Sequence, residues 1–132
     1  MPERAARVLV VDDNLEMART LAEGLVDRGY DATAVGSGKQ ALAELAADAF
    51  DAVVTDLRMP NVDGLELLAA SRKLVPDRPV IVMTAYSAID TAVESIRQGA
   101  YHYLTKPFKQ DELAIFLGRA LEGRRLLSLI HI

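Results

Sequence analysis

Short apolar runs alternate along this chain with segments whose apolar residues recur at helical spacing. The uninterrupted runs lie at Val8–Val11, Ala52–Val54 and Val80–Met83, and such runs are typical of strands buried on both faces of a parallel sheet. An alternating run at Asp31–Val35 predicts an edge-like strand, and Tyr101–Thr105 predicts a short final strand. Five strands alternating with five helices predict an α/β fold whose parallel sheet is covered by helices on both faces.

Each predicted helix is indicated by apolar residues that recur at i, i+3, i+4 and i+7. The residues expected to face inward are, helix by helix, Ala18, Leu21, Ala22 and Leu25; Ala41, Leu42, Leu45 and Ala46; Leu65, Leu68 and Ala69; Ile89, Ala92, Val93 and Ile96; and Leu113, Phe116, Leu117, Ala120 and Leu121. Ser37 and Gln40 have the spacing of a capping box at the second helix, and Ser87 is predicted to cap the fourth.

Composition excludes several classes of protein. The chain has 132 residues, of which 51% are hydrophobic, so we expect one globular domain over residues 1–125; the apolar residues 126–132 are interpreted as the start of a linker or a cloning remnant. A net charge of −4 argues against electrostatic binding of nucleic acid, and the absence of cysteine excludes disulfides and thiolate sites. With no signal-peptide pattern and no apolar run of the ~20 residues that a membrane span needs, a cytoplasmic protein is expected.

Polar residues lie where the predicted strands end. Because parallel strands share one direction, their carboxyl ends meet at one edge of the sheet, where open α/β sheets place their sites. The residues at these ends are Asp12, Asp13, Asp56, Thr84 and Lys106. Two carboxylates ~4 Å apart repel by about 1 kcal/mol in water and roughly 4 kcal/mol at an effective dielectric of 20, so a cation must compensate. Lys106 and a Mg²⁺ ion would supply that charge, and the set predicts phosphoryl transfer onto Asp56.

Four pieces of the sequence resemble, in this order and at these separations, the receiver domain of two-component response regulators. The pieces are Val10-Val-Asp12-Asp13, Asp56-Leu-Arg-Met-Pro60 with Asp63-Gly64, Met83-Thr84-Ala85, and Tyr103-Leu-Thr-Lys106-Pro107-Phe108. The resemblance extends from Val8 to about Arg124 and is strongest to the nitrogen-regulatory, NtrC-type enhancer-binding class of transcription activators. It implies a flavodoxin-like (βα)5 fold, a doubly wound parallel sheet with strand order 2-1-3-4-5.

The resemblance also implies how the phosphoryl group and the metal are held. Asp56 is expected to be the phosphoacceptor, which becomes a 4-aspartylphosphate. Asp12 and Asp13, together with Asp56 and the backbone carbonyl of Arg58, are expected to hold Mg²⁺. Lys106 is expected to pair with the phosphoryl oxygens. The protein is therefore expected to be a signalling domain and not an enzyme beyond self-phosphorylation from small donors and self-dephosphorylation.

A second group of residues is implied to read out or protect the phosphoryl group. Thr84 is expected to hydrogen-bond the attached phosphate, and Tyr103 is expected to be the aromatic switch residue whose ring turns inward on activation. The side chains of Arg58 and Tyr86 border the phosphoryl position in the family and are expected to hinder water. The peptide bond before Pro107 is expected to be cis.

The implied partners are a sensor histidine kinase, an output domain in the full-length protein and, after phosphorylation, a second copy of the chain. The face formed by the fourth helix, the fifth strand and the last helix is expected to change, and direct contact with nucleic acid is not expected. The family commonly has Asp or Ser where this chain has Lys109, and Gly118 and Gly123 lie inside the last helix. We therefore expect this helix to be the least stable.

Three alternatives remain. A degenerate receiver would act only through protein contacts and would never be phosphorylated. An Asp-nucleophile phosphatase of the haloacid dehalogenase kind would need a second acid where this chain has Arg58. A nucleotide-binding module would use Gly36-Ser-Gly38-Lys39-Gln-Ala41, but this segment follows the second strand and is better explained as a turn and a helix cap.

Overall fold

The computed structural model describes residues 4–130, with the side chains of Tyr86 and of residues 127–130 outside the description. The strands are β1 (Arg7–Val11), β2 (Asp31–Val35), β3 (Ala52–Asp56), β4 (Val80–Ala85) and β5 (His102–Lys106). The helices are α1 (Leu15–Asp27), α2 (Gly38–Ala47), α3 (Gly64–Leu74), α4 (Ile89–Arg97) and α5 (Gln110–Ile130), and a 3₁₀ turn (Tyr86–Ala88) precedes α4.

The strands form one parallel sheet in the order β2-β1-β3-β4-β5, so the predicted fold class and strand order are confirmed. β2 is an edge strand, as its alternating pattern indicated, and β3 lies between β1 and β4. No helix among residues 4–130 has the length and apolarity that crossing a membrane requires.

Alternate residues of each strand point to opposite faces of the sheet and build two core layers. On one face Leu9, Val53 and Val82 pack with buried residues of α2, α3 and α4. On the other face Val10 and Val54 pack with buried residues of α1 and α5. Helices on both faces explain why consecutive residues of the central strands, such as Val53 and Val54, are both apolar.

Side-chain caps fix the start of three helices. Asn14, Ser37 and Asp63 accept hydrogen bonds from backbone N–H groups in the first turns of α1, α2 and α3. The predicted cap at Ser37 is confirmed, although the Gln40 side chain accepts from the N–H of Gly36 and not from Ser37 itself.

The prediction that Ser87 caps the fourth helix is wrong. Ser87 lies inside the 3₁₀ turn, and α4 begins at Ile89 after Ala88, which makes no side-chain capping bond. The turn is held instead from the strand before it, because the Thr84 hydroxyl donates to the carbonyls of Ala85 and Ala88 at 3.3 and 3.4 Å.

Several predicted inward-facing residues are exposed. Ala46 of α2 and Ala69 of α3 face solvent, while Leu67 and Ser71 are buried because α3 packs through a stripe that begins at Gly64. The α4 helix packs through Ala92 and Ser95, which leaves the predicted core residues Val93 and Ile96 44% and 40% exposed. Small residues let α4 lie close to the sheet, so its larger apolar side chains point away.

The last helix continues without a break from Gln110 to Ile130, so the predicted domain boundary at residue 125 lies within it. Leu113 and Leu117 are buried against the sheet as predicted. The N–H of Lys109 donates to the Glu112 carboxylate at 3.4 Å, which supplies one half of a capping box at this helix start. The assignment of residues 126–132 to a linker or a remnant stays a prediction, and residues 131–132 lie outside the described part.

Candidate functional site

The end of β3 is shaped by a close backbone approach. Leu57 follows Asp56, and its N–H donates to the carbonyl of Met83 on β4 at 3.0 Å, so hydrogen bonding to β4 continues to the residue directly after β3. Asn61 has a φ of 68° in the turn that follows, and the N–H of Gly64 then donates back to the Leu57 carbonyl at 2.9 Å. A Cβ at Gly64 would lie 2.5 Å from the Asp56 carbonyl oxygen. The first turn of α3 therefore presses directly on the strand end that carries Asp56.

Three carboxylates meet at this edge of the sheet. One ligand oxygen from each of Asp12, Asp13 and Asp56 lies within 4.8 Å of the others. Asp12 is 1% exposed and also accepts a hydrogen bond from the Asn14 N–H at 2.9 Å, whereas Asp13 faces solvent. The cluster thus has a buried side toward the protein and an open side toward water.

Lys106 is the cation that reaches this cluster among the described side chains. Its Nζ lies 2.8 Å from an Asp12 oxygen and 3.4 Å from an Asp56 oxygen. Because β5 ends at Lys106 and pairs in register with β4, the topology carries this side chain to the same edge as the carboxylates. The bond between Lys106 and Pro107 is cis.

The electrostatics of the site are unbalanced without a further cation. Burial raises the pKa of the Asp56 carboxyl; the charge of Lys106 opposes the rise, and the charge of Asp12 adds to it. A hydrogen bond from the backbone N–H of Arg58 also favours the carboxylate form. Burial by itself lowers the pKa of Lys106, but its hydrogen bonds and attraction to Asp12 and Asp56 outweigh that and raise it.

The donor set fits a hard divalent cation. Carboxylate oxygens and water are the ligands that Mg²⁺ prefers, and Asp13 on the open side leaves room for water. A cation would also relieve the mutual repulsion of Asp12, Asp13 and Asp56. The sequence predicted this cluster correctly as a place where carboxylates converge.

Thr84 and Tyr103 lie on the same face of the sheet. Thr84 is two residues beyond Val82, and Tyr103 pairs in register with Val82 on the neighbouring strand. Thr84 is 1% exposed, and Tyr103 is half-buried against the core layer of α2, α3 and α4. The ring of His102 stands edge-on to the Tyr103 ring at 5.6 Å.

Arg58 and Tyr86 are the two residues predicted to hinder water. The side chain of Arg58 is exposed and makes no hydrogen bond or ion pair with a residue whose side chain the structure describes. The side chain of Tyr86 lies outside the described residues. Sequence reasoning missed the contribution of Gly38 at the same edge, where a Cβ would lie 2.2 Å from the Val62 carbonyl oxygen. A glycine that opens a helix directly after a capping serine was the available signal.

Comparison with known proteins identifies the class to which this fold and site belong. Residues 8–117 match the family model of the response regulator receiver domain. The chain therefore belongs to the response regulator receiver family, whose members bind Mg²⁺ at an acidic pocket of this kind.

The relatives found are regulators of the NtrC type. The chain is 42% identical to the response regulator protein FleR of Pseudomonas aeruginosa over 120 residues, which cover 91% of this chain and 25% of that protein. It is 41% identical to the DNA-binding transcriptional regulator NtrC of Salmonella typhimurium over 114 residues, which cover 86% of this chain and 24% of that protein. The chain thus spans about a quarter of the curated relatives that it matches.

Solved structures agree with the fold. NtrX from Brucella abortus in complex with ADP superposes with a TM-score of 0.92 at 35% identity, covering 97% of this chain and 30% of that chain. A response regulator receiver domain protein from Clostridium thermocellum superposes with a TM-score of 0.88 at 28% identity, covering 92% and 98%. In the second comparison the aligned residues therefore span nearly all of the solved chain.

Proposed function

We propose that this domain accepts a phosphoryl group on Asp56 from a sensor histidine kinase and that the phosphorylated form controls an output, most simply transcription. The observation that carries the proposal is the position of Asp56. It ends a central buried strand with its side chain 13% exposed, within 4.8 Å of the other two carboxylates and 3.4 Å from Lys106. The relatives are transcriptional regulators, which supports the output and implies the cytoplasm.

The transfer forms an acyl phosphate. An Asp56 carboxylate oxygen attacks phosphorus as the phosphorus–nitrogen bond of the donor phosphohistidine breaks, and the imidazole leaves with its electron pair. Lys106 pairs with the phosphoryl oxygens, and the N–H of Arg58 helps to keep Asp56 ionised. Mg²⁺, held by Asp12, Asp13, Asp56 and the Arg58 carbonyl, supplies charge neutralisation when bound.

The surface beside the site is apolar and can receive the phosphodonor. Met17 and Leu21 of α1, together with Pro107 and Phe108 after β5, line an apolar hollow that also includes Lys106. Met17 is 41% exposed although it is apolar. An exposed apolar hollow adjacent to the acceptor supports docking of the kinase at this surface.

The switch begins at Thr84. Its hydroxyl now donates to the carbonyls of Ala85 and Ala88, which hold the 3₁₀ turn before α4. A phosphoryl group on Asp56 adds strong acceptor oxygens that compete for this hydroxyl. Once Thr84 moves toward the phosphate, the turn loses the hydrogen bond that the two carbonyls share, and Tyr103, on the same face, can fill the vacated space. Phosphorylation then biases an existing equilibrium.

The switch is expected to move the face formed by α4, β5 and α5, and this face exposes apolar side chains to solvent. Val93 and Ile96 of α4 are 44% and 40% exposed, and Tyr101 before β5 is 43% exposed. A phosphorylated domain is therefore expected to form a homodimer through this face, which sedimentation with and without a phosphoryl mimic measures. Ile96→Asp should abolish the dimer, whereas Val26→Asp on α1, at a site that is 52% exposed, should not. A dimer that survives Ile96→Asp would place the interface elsewhere.

Phosphorylation itself is tested by intact mass after incubation with acetyl phosphate and Mg²⁺. We expect one phosphoryl adduct, its loss in Asp56→Asn and its loss when Mg²⁺ is chelated. Asp90→Asn, which changes an exposed carboxylate in the first turn of α4, is the matched control and should keep the adduct. An adduct that persists in Asp56→Asn would refute the assignment. A folded parent protein that gains no adduct would support the alternative of a receiver acting only through protein contacts.

A further inference from the structure

An arginine is buried at the edge of the sheet opposite the phosphoacceptor. Arg78 lies two residues before β4 and is only 3% exposed. Its Nε donates to the buried Ser71 hydroxyl at 2.9 Å, but its Nη2 is shielded from solvent and has no partner among residues 4–130. Buried guanidinium groups are otherwise paired, because an unpaired buried charge is costly. The pKa of Arg78 is lowered by burial and by the nearby charge of Arg124, and Asp77 opposes this.

A positively charged cleft surrounds this arginine. The cleft has a volume of about 410 Å³ and is lined by Arg72, Arg78 and Arg124, with Asp77 as the carboxylate in its lining. Arg124 donates to Asp77 at 3.3 Å, so that carboxylate is already engaged. Arg124 is also paired with Asp51, at 3.5 Å. Arg72 and Arg78 are therefore the two guanidinium groups of the lining that have no carboxylate partner in the described part of the chain, and the lining also includes Tyr101.

Arg72 contributes charge to the cleft without a carboxylate partner. Its Nη1 donates weakly to the backbone carbonyls of Pro76 and Gly99, both at 3.4 Å, and it makes no ion pair within the described part of the chain. Gly99 has a φ of +105°, and a Cβ there would lie 2.5 Å from the Arg72 Nε. Because Gly99 has no side chain, the turn between α4 and β5 leaves room for the Arg72 side chain to lie at the cleft.

We propose that this cleft binds a small oxyanion of phosphate-like or carboxylate chemistry. Guanidinium groups present planar pairs of N–H donors that match two oxygens of such an anion, and an anion would give the unpaired N–H groups of Arg78 the acceptor they lack. The cleft lies at the amino-terminal ends of the strands, at the edge of the sheet opposite Asp56. Gly123 and Arg124 of α5 line it, which links a bound anion to the second half of that helix.

The test is an NMR titration of the Mg²⁺-free domain with sodium sulfate, against sodium chloride at equal ionic strength. Sulfate is expected to give saturable shifts at the Arg78 Nε–H and at the backbone amides of Arg72, Gly99 and Tyr101, and chloride is expected to give none. Parallel titrations with inorganic phosphate and acetate distinguish tetrahedral anions from carboxylates. Saturation at these residues by either class supports the site and fixes its ligand chemistry.

Two variants make the assignment specific. Arg78→Leu and the exposed Arg72→Gln should each weaken sulfate binding about tenfold through loss of a charge-assisted hydrogen-bonding partner. Arg97→Gln, at the exposed end of α4, keeps the same net charge as Arg72→Gln and should bind as the parent does. Arg72→Gln keeps the proposal testable if Arg78→Leu does not fold. Shifts that appear only around Lys106, that match those of chloride, or that survive both variants would overturn the proposal.

Discussion

Replacing Asp56 with Asn should stabilise the Mg²⁺-free domain at neutral pH, although it destroys the phosphoacceptor. The substitution removes one of three carboxylates whose ligand oxygens lie within 4.8 Å of each other, and it keeps the shape of the side chain. Lys106 retains its 2.8 Å bond to Asp12, so its charge stays paired. What is lost is mainly repulsion and the cost of burying an ion.

The size of the effect follows from the distances. At 4.8 Å, the upper limit of the separations in this cluster, two like charges repel by about 3.5 kcal/mol at an effective dielectric of 20 and by about 1 kcal/mol in water. Asp56 experiences two such repulsions. Its attraction to Lys106, at 3.4 Å, is about 5 kcal/mol at a dielectric of 20 and about 1 kcal/mol in water. The repulsions exceed the attraction by about 0.5–2 kcal/mol. Because Asp13 is exposed, we expect the lower half of that range.

The effect should depend on pH with a defined sign. Burial is the largest of the causes that raise the folded-state pKa of Asp56 above its unfolded value, which is about 3.9. A carboxyl group with a raised folded pKa stabilises the fold fully below its unfolded pKa, and this stabilisation is lost as the pH rises through the folded pKa. The free energy of unfolding of the parent protein should therefore decrease relative to that of Asp56→Asn as the pH rises above about 4.

Urea unfolding in the presence of a chelator, at pH 4.5 and at pH 8, measures this difference. A higher transition midpoint at unchanged slope would report a true gain in the free energy of unfolding. Asp90→Asn serves as the control for a general change of net charge. An Asp56→Asn variant that is less stable than the parent at pH 8, or a difference independent of pH, would refute the electrostatic reasoning.

Two further outcomes are expected. Mg²⁺ should raise the melting temperature by mass action, with a stabilisation of about 2.7 kcal/mol when its concentration is a hundredfold above its dissociation constant. Asp13→Ala should largely remove this rise. An equal rise in the parent and the variant would exclude Asp13 as a ligand. Gly118→Ala should increase the free energy of unfolding by about 0.5–1 kcal/mol and so raise the urea midpoint. The reason is that a Cβ at this position would contact only the Tyr30 hydroxyl, at an ordinary distance of 3.8 Å. A lower midpoint would contradict this expectation.

The convergence of the site could be predicted from sequence because a parallel sheet fixes it. Once the apolar runs were assigned to parallel strands, the residues that follow them, such as Asp12, Asp56 and Lys106, had to meet at one edge. The strand order needed the resemblance to a known family, since apolar runs do not specify which strands are neighbours. The distances and the burial of Asp12 were not predictable, because they depend on how the loops fold over the edge.

The outward face of α4 and the cleft at the opposite edge were not predictable. Helical spacing indicated that Val93 and Ile96 share a face, but spacing does not distinguish a face that meets the core from one that meets a partner. Arg78 follows an acidic residue and precedes a proline, which is typical of an exposed turn. It is buried because α3, which directly precedes it, and α5, which is distant in sequence, close around it.

Carboxylates that repel one another stay close only if the backbone holds them in place. Close packing of the backbone at Gly64 contributes to this at Asp56. A Cβ at this position would lie 2.5 Å from the Asp56 carbonyl oxygen and 2.7 Å from the Leu57 Cα, both backbone atoms that cannot swing aside. Gly64→Ala should therefore push α3 away from the end of β3, with a loss of about 1–3 kcal/mol in urea unfolding and a weaker calorimetric affinity for Mg²⁺. Gly118→Ala adds the same methyl group in a helix without a close contact and controls for the substitution itself. If Gly64→Ala unfolds at the parent's midpoint and binds Mg²⁺ equally well, close packing at this glycine does not hold the carboxylates together.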